Sequence, residues 1–595
     1  MFLAVASNAS AKTVYCKMAQ DWWKADGAAV AAHMWGGSSA TTWPGIRMTQ
    51  VSGTTDVWSI DAGDNPNIIF VRVNGSGNVQ DWGAQTADLT IPTDDKNLYT
   101  ITSTSAKWSG EGNKVDGVWS VYGEGGGDTP GGDDPVVPTE YDKAVPSECQ
   151  DVMLQAFYWL SNEDNSYGGS QWSTLKSQAD EISAYFDLVW LPPSCNSNDK
   201  MGYLPKEYHN QNSKMGMRAT LTQLIAALHN GGTRVIADVV INHAANKSSW
   251  VDFMDQDFGT TYGKFSPQST WITSNDEAQG HGQLGSNADD GQESNANYGS
   301  ARDWDHKNSN VQTMFRAYLK WLKNVMLYDG FRFDYCGGYH VSHVNDYVSN
   351  AKPYFSVMEY WNGNASTLKQ RIDDANKNTL TFDFAQFYTA FQQGIAGGNY
   401  SKLVKPGLRG QGYSKYAVTF IDNHDTFNRS DIGNSDCGNS KDGSSSLNNK
   451  SLIMQCNAYL LSMPGVPCVF WPHWYKYKSD IKQMIHARKM AGIHSESTVQ
   501  EESGSGYYRA TIQGKYGSVK LMLGSAANDA QPQDYVLAIK GSTYAMYYKG
   551  NGNAIENVEV APLDVTKPMF TMMGQQVDAS YRGVVIQNGH KYILQ

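Results

Sequence analysis

From residue 150 onward, short apolar runs alternate with longer stretches of helical spacing. The apolar runs are Val152–Tyr158, Asp187–Leu191, Arg234–Ile241, Gly330–Asp334, Phe355–Glu359, Thr379–Phe384, Tyr416–Ile421 and Val466–Phe470. Their length and their near-continuous apolar character suit strands of a parallel sheet. The clearest amphipathic stretch is Asn310–Met326, with Val311, Met314, Phe315, Tyr318, Leu322, Val325 and Met326 on one face. Another carries Leu221, Leu224, Ile225 and Leu228 and is closed by Gly231 and Gly232. Eight strands alternating with helices predict an α/β fold, a (β/α)8 TIM barrel over residues 146–496. The third connection, residues 244–305, is polar and rich in Gly, Asn and Asp. At that length it reads as a domain inserted after strand three rather than a loop.

The flanks differ. Residues 13–122 hold short, turn-bounded runs such as Val57–Ile60, Asn67–Val73 and Tyr99–Thr102, which predict an N-terminal β-sandwich module. The one stretch of helical spacing there is Ala28–Met34. Gly, Pro and Asp dominate the segment that follows, so residues 123–145 read as a linker. After Ser497 the runs Tyr507–Ile512, Lys520–Leu523, Asp534–Lys540 and Thr543–Tyr548 predict a C-terminal antiparallel β domain over 497–556. Residues 557–595 form a further short β pattern, a tail. Residues 1–12, MFLAVASNASAK, read as a signal-peptide remnant with Ala9 and Ala11 in an A-x-A arrangement.

Composition narrows the function. The net charge is −12 and no long basic run occurs, which argues against nucleic acid as a partner. Eighteen Trp and 34 Tyr offer flat faces suited to sugar rings as well as to cores. The seven cysteines are odd in number and show no CxxC spacing, so a zinc site is not expected. One or two disulfides stay open.

Chemistry in such barrels sits at the C-terminal strand ends. Strand three ends in Asp238-Val-Val-Ile-Asn242-His243, strand four in Gly330-Phe-Arg332-Phe-Asp334, strand five in Val357-Met-Glu359-Tyr-Trp361, and strand seven in Phe420-Ile-Asp-Asn-His424-Asp425. Asp334, Glu359 and Asp425 therefore converge on one mouth. Glycosidic cleavage needs such a carboxyl pair, one nucleophile and one proton donor. Arg332 stands two residues before Asp334, on the same face of the strand, and should keep that aspartate ionised. The aromatic neighbours of Glu359 should raise its pKa so that it holds a proton. One carboxylate at a strand end is as well explained by a helix cap or salt bridge. Three carboxylates, two histidines and an arginine on four strand ends are not.

The segments DVVINH (238–243), GFRFD (330–334), EYW (359–361) and FIDNHD (420–425) resemble, in order and spacing, those of the α-amylase family, family 13 of the glycoside hydrolases. LQAFYW (154–159), GYLP (202–205) and GFRFDYCGGY (330–339) are similar to its plant-like branch. The resemblance implies that Asp334 is the nucleophile, Glu359 the general acid/base and Asp425 the transition-state stabiliser. It implies sugar contacts from Arg332, His243, His424, Tyr203, Trp159 and Trp361, with Tyr203 as an aromatic platform. It also implies calcium held by Asn242, Asp303 and a backbone carbonyl near Gly338, with Asp289 or Asp290 as weaker candidates. Two departures stand out. Gly337 and Gly338 occupy positions where many members carry Lys-His, and Glu207–Gln211 replaces a more acidic stretch.

AAHMWGG (31–37), TTWPGIRM (41–48) and VQDW (79–82) resemble family-26 starch-binding modules and point to His33, Trp35, Trp43 and Trp82 as glucan contacts. MFTMMGQQV and YRGVVIQNGHKYIL, in the tail, resemble type IX secretion sorting signals. Together these resemblances imply a secreted or surface-attached protein of a gram-negative bacterium, a monomer, acting on starch, amylopectin, glycogen or maltooligosaccharides. The leading reading is a retaining, endo-acting hydrolase of internal α-1,4 bonds. A transglycosylase with the same site, and a non-catalytic glucan-binding surface protein, are the alternatives.

Overall fold

The eight apolar runs of the second half of the chain become strands that close into one parallel barrel. The computed structural model describes residues 13–18, 21–51, 56–93, 96–103, 107–109, 112–120, 122, 139–163, 165–292, 298–427 and 450–550, with strand residues 569–571, 576–577, 583–587 and 590–594. The signal-peptide remnant, most of the linker, Cys437 and parts of the tail lie outside the described residues. The chain divides into two compact units, Met1–Val137 and Pro138–Gln595.

In the first unit two sheets face each other. One has the strand order Gly117–Ser120, Leu98–Ile101, Thr13–Lys17, Val57–Asp61, Thr49–Gln50. The other runs Lys107–Ser109, Gly112–Val115, Asp81–Thr86, Asn67–Val73, Ala29–Trp35, Ile46–Arg47. Val14, Cys16, Tyr99 and Ile101 from the first meet Val30, Ala32, Ile68 and Phe70 from the second in a shared core. The helical spacing of Ala28–Met34 misled: Ala29–Trp35 is a strand in register with Asn67–Val73, from Ala29↔Val73 to Trp35↔Asn67. Val30, Ala32 and Met34 fill the shared core, while Ala29 and Ala31 pack with Ile69, Val71 and Val73 on the other face. A strand covered on both faces shows no polar alternation, so periodicity alone cannot separate it from a helix.

In the second unit the barrel strands are β1 (Met153–Gln155), β2 (Leu188–Leu191), β3 (Arg234–Val239), β4 (Gly330–Phe333), β5 (Phe355–Met358), β6 (Leu380–Phe382), β7 (Ala417–Phe420) and β8 (Val466–Phe470). They pair in sequence order, all parallel, and β8 closes on β1. Helices cover the outside, so nearly every strand residue is buried. Helix α1 (Arg218–Asn230) buries Leu221, Leu224, Ile225 and Leu228 and stops at Gly231. Helix α2 (Ser309–Asn324) starts at Asn308, whose side chain accepts from the Asn310 N–H, and buries Val311, Met314, Phe315, Tyr318 and Leu322. Helix α3 (Trp471–Ala491) follows β8.

Residues 139–145, read from composition as the end of the linker, lie on the barrel. Ala144 and Val145 are buried in its core, and the Ala144 carbonyl accepts from the Ser356 N–H at 3.0 Å. The insert is pinned where it leaves and returns, because His243–Ala244 pairs antiparallel with Arg302–Asp303. Beyond the barrel comes a five-stranded antiparallel sheet, ordered Thr498–Gly504, Tyr507–Gln513, Gly517–Gly524, Tyr544–Gly550, Val536–Lys540. Its first strand, TVQEESG, went unread because its polar residues show no alternation against apolar ones. Four tail strands form a separate sheet, ordered Gln576–Val577, Met569–Thr571, Gly583–Gln587, His590–Leu594. The six described cysteines, Cys16, Cys149, Cys195, Cys336, Cys456 and Cys468, are buried free thiols. Among the described residues no helix is long and apolar enough to cross a membrane.

Candidate active site

Barrel register sets the site. β3 and β4 pair with Asp238 beside Arg332, and β4 pairs with β5 with Arg332 beside Val357. Inward-facing residues of neighbouring parallel strands thus meet at one level. Arg332, 1% exposed, receives three carboxylates on its fork. Nη1 donates to Asp238 Oδ1 at 2.8 Å and to Asp334 Oδ1 at 2.6 Å, and Nη2 lies 2.7 Å from Glu359 Oε1. The indole of Trp190 lies under the guanidinium, 5.0 Å from ring centre to Cζ, and its N–H donates to Asp238 Oδ2.

Backbone contacts fix the two strand-end carboxylates. The Asp334 N–H donates to the Val239 carbonyl at 3.1 Å and the Glu359 N–H to the Phe333 carbonyl at 2.9 Å. Tyr335, at φ 46°, is a left-handed residue that is not glycine. In that conformation its N–H reaches Glu359 Oε2 at 3.1 Å. Such backbone costs free energy and persists where the surroundings over-determine it.

Asp425 stands on the β7 loop. Its N–H donates to Asn423 Oδ1 at 2.8 Å, and its Oδ2 lies 3.3 Å from His424 Nε2. The other ring nitrogen of His424 faces Gln155 Nε2 at 3.0 Å. Rings stack above this floor: Tyr203 on His424 (5.1 Å, 8°) and Trp159 on Tyr203 (5.9 Å, 19°). The Tyr203 hydroxyl donates to Asp238 Oδ2 at 2.8 Å.

One guanidinium cannot neutralise four carboxylates. Burial pushes Glu359 up to about 8, with Arg332 pulling it down and the charges of Asp334 and Asp425 adding to the rise. Burial likewise lifts Asp334 to about 7 and Asp238 to about 6, against Arg332. Arg332 therefore moderates Asp334 without holding it at the ordinary carboxylate value, which corrects the sequence expectation. Burial thus holds both strand-end carboxyls above their ordinary values.

The sequence-derived residues fall into three sets. Asp334, Glu359, Asp425, Arg332, His424, Tyr203 and Trp159 come together. His243 is beside them: it is buried, stacked on Tyr298 at 4.0 Å, with Nε2 2.9 Å from the Tyr203 carbonyl, and so braces Tyr203. Trp361 stacks on Phe384 at 4.6 Å and donates to the Tyr388 hydroxyl. Asp238 carries no role in the sequence motifs alone. Its place near the C-terminal end of strand three was the one signal in the sequence; its partner Arg332 appears only in the barrel register.

In the first unit His33, Trp35 and Trp43 form one aromatic group, with His33 ring centres 5.4 Å from Trp35 and 5.5 Å from Trp43. Trp82 does not join it. The Trp82 ring lies 5.1 Å from the Arg72 guanidinium, and Arg72 is paired with Val30, on the opposite face of the sheet from His33.

Among the described residues no group of three or more His, Cys, Asp or Glu side chains is set to hold a metal. What the expected calcium residues form is a mixed oxygen set. Asn242 Nδ2 lies 3.1 Å from Asp303 Oδ1, and a β-carbon on Gly338 would collide with Asn242 Oδ1. Asp303 is pushed up to about 8 by burial and by Asp289, Asp276 and Glu277, against a bond from the Tyr298 N–H. Asp289 is pushed up to about 6 by burial and Asp290, and its buried Oδ2 has no hydrogen-bond partner. The Asp303 carboxylate beside the Asn242 amide, with the partnerless Asp289 Oδ2 close enough to raise Asp303, is an oxygen-donor set of the kind a hard cation takes. Asp290 is bound otherwise, to the His340 N–H and to His343.

A carboxyl pair bridged by one guanidinium on the rim of a parallel barrel suits the chemistry of a glycoside hydrolase. Comparisons with known proteins agree. The alpha-amylase catalytic-domain model matches residues 183–376. The chain is 29% identical over 424 residues to a probable alpha-amylase 2 of Arabidopsis thaliana, covering 67% of this chain and 94% of that protein. Over 408 residues it is 29% identical to a glucan 1,4-alpha-maltotetraohydrolase of Roseateles saccharophilus, covering 64% and 69%. Over 136 residues it is 32% identical to an alpha-amylase type B isozyme of Hordeum vulgare, covering 22% and 80%. The chain belongs to the alpha-amylase family.

The raised carboxyls fix a pH dependence of stability. Unfolded, Glu359 and Asp334 titrate near ~4, so between pH 6.5 and 8 the native state binds more protons than the unfolded chain. Stability then falls as pH rises. Thermal melts in chelator should show the midpoint falling across that window, and less steeply for Glu359→Gln. Equal slopes for the two proteins would contradict the assignment.

Proposed function

We propose that this chain is a retaining, endo-acting hydrolase of internal α-1,4 bonds in starch and related glucans. The observation that carries it is the Asp334–Arg332–Glu359 bridge. Asp334 is the nucleophile that attacks the anomeric carbon. Glu359 gives its proton to the leaving oxygen, then takes one from the attacking water. Both carboxyls grip one guanidinium, a short span that favours the covalent, retaining route, which uses separations of about 5–5.5 Å. Asp425 stabilises the positive charge that develops on the sugar. Trp159 and Tyr203 supply ring faces for stacking, and Asp238 holds Arg332 and Tyr203 in place.

Calcium is held by Asn242, Asp303, Asp289 and the backbone near Gly338. It ties the insert to the barrel and keeps Asp303 ionised; its role is structural. In the first unit His33, Trp35 and Trp43 bind glucan chains, supported by the 46% exposure of Trp43. A tethered module raises the local concentration of polymer. The tail acts as an export and surface-sorting signal. Fused to a reporter in a bacterium with that route, it should carry the reporter outside; a reporter kept in the cell would dismiss this.

Four measurements test these roles. On soluble starch, Asp334→Asn should lose about a thousandfold or more in kcat, while the wild type releases products of mixed length from the start. Full activity in the variant, or glucose or maltose as sole early products, would refute the reading. On maltooligosaccharides, products longer than the substrate would favour transfer over hydrolysis. Calcium should raise the melting temperature of the wild type and chelator lower it, with Asp303→Asn insensitive to both. An indifferent wild type would remove the ion. Trp43→Ala should weaken binding to granular starch and leave kcat/KM on maltoheptaose unchanged. Unweakened binding would exclude the aromatic group.

A further inference from the structure

His473 is left over by this chemistry. It lies in the first turn of α3, just after β8, and is wholly buried. Neither ring nitrogen makes a well-aligned hydrogen bond. Buried polar side chains are almost always satisfied, so an apolar residue would be the cheaper filler here. What the ring touches is Asp422, itself 1% exposed, with Nε2 3.1 Å from Oδ2. Burial drives the imidazole down to about 3, so it faces Asp422 as a neutral ring.

Asp422 opens the β7 turn that carries Asp425. Its Oδ1 accepts from the Thr426 hydroxyl at 3.3 Å, and that hydroxyl accepts from the Asn423 N–H at 2.9 Å. Asn423 Oδ1 in turn accepts from the N–H groups of Asp425 (2.8 Å) and Thr426 (2.9 Å). A continuous set of contacts thus runs from β8 to the backbone of the third carboxylate.

We infer that His473 is a positioning residue for Asp425: from the β8 side it fixes Asp422, and Asp422 with Thr426 holds the turn that aims Asp425 at the cleaved bond. The inference rests on the proposed role of Asp425. It has a signature that packing alone lacks. The groups that face Glu359 are Arg332, Asp334, Asp238, Asp425 and the Tyr335 N–H, and the Asp425 charge helps raise the Glu359 carboxyl. If Asp425 swings away, Glu359 loses its proton at lower pH, and the alkaline limb of the rate profile moves to the acid side.

The test uses the full chain and maltoheptaose. His473→Ala should lower kcat about tenfold or more, leave KM nearly unchanged and shift the alkaline limb down. His473→Gln, which keeps a donor near Nε2, should recover most of both. If His473→Ala does not fold, Thr426→Val cuts the other link to Asp422 and should move kcat and the limb in the same direction. A folded His473→Ala with wild-type kcat and limb overturns the inference, as does failure of glutamine to restore them. Asp425→Asn is the control: if it keeps full activity, the role of Asp425 falls instead.

Discussion

A single buried guanidinium organises this molecule's chemistry. Arg332, on β4 between β3 and β5, binds Asp238, Asp334 and Glu359 at 2.6–2.8 Å. Without it, three carboxylates would share one buried hollow and repel. With it, Asp334 and Glu359 stay close although burial raises both above ordinary carboxylate values. The surrounding structure serves this cation: Trp190 floors it, Asp238 anchors it, and closure of the barrel seals it.

Around the bridge, positioning is done by backbone as much as by side chains. The left-handed Tyr335 aims an N–H at Glu359, and the Asn423–Thr426 turn orders Asp425. The insert contributes from the other side, through the Asn242–Asp303 contact and the His243–Tyr298 stack. A buried positive charge and several buried carboxyls make the rim costly to assemble, so stability and catalysis are drawn from the same residues.

Much of this was legible in the sequence. All eight barrel strands lie within the apolar runs read for them, because parallel strands buried on both faces leave unbroken apolar signatures. Carboxylates at strand ends could be named because barrel topology fixes where the strand ends point. Orientation was not legible. His243 sits where its motif placed it, yet its ring turns to the Tyr203 carbonyl, and Trp82 lies on the wrong face of its sheet for the aromatic group. Asp238 was missed because its function is relational, visible only once β3 and β4 are in register. Ala29–Trp35 failed as a helix because small residues packed on both faces mimic helical spacing.

The bridge makes Asp334 the atom-level centre of the account. Incubating the protein with a 5-fluoro-α-glycosyl fluoride, which slows hydrolysis of a covalent intermediate, and mapping the adduct by peptide mass spectrometry tests it directly. One sugar per chain, attached to Asp334, is expected. An adduct on another residue, or turnover with none formed and the β anomer released first, would contradict it.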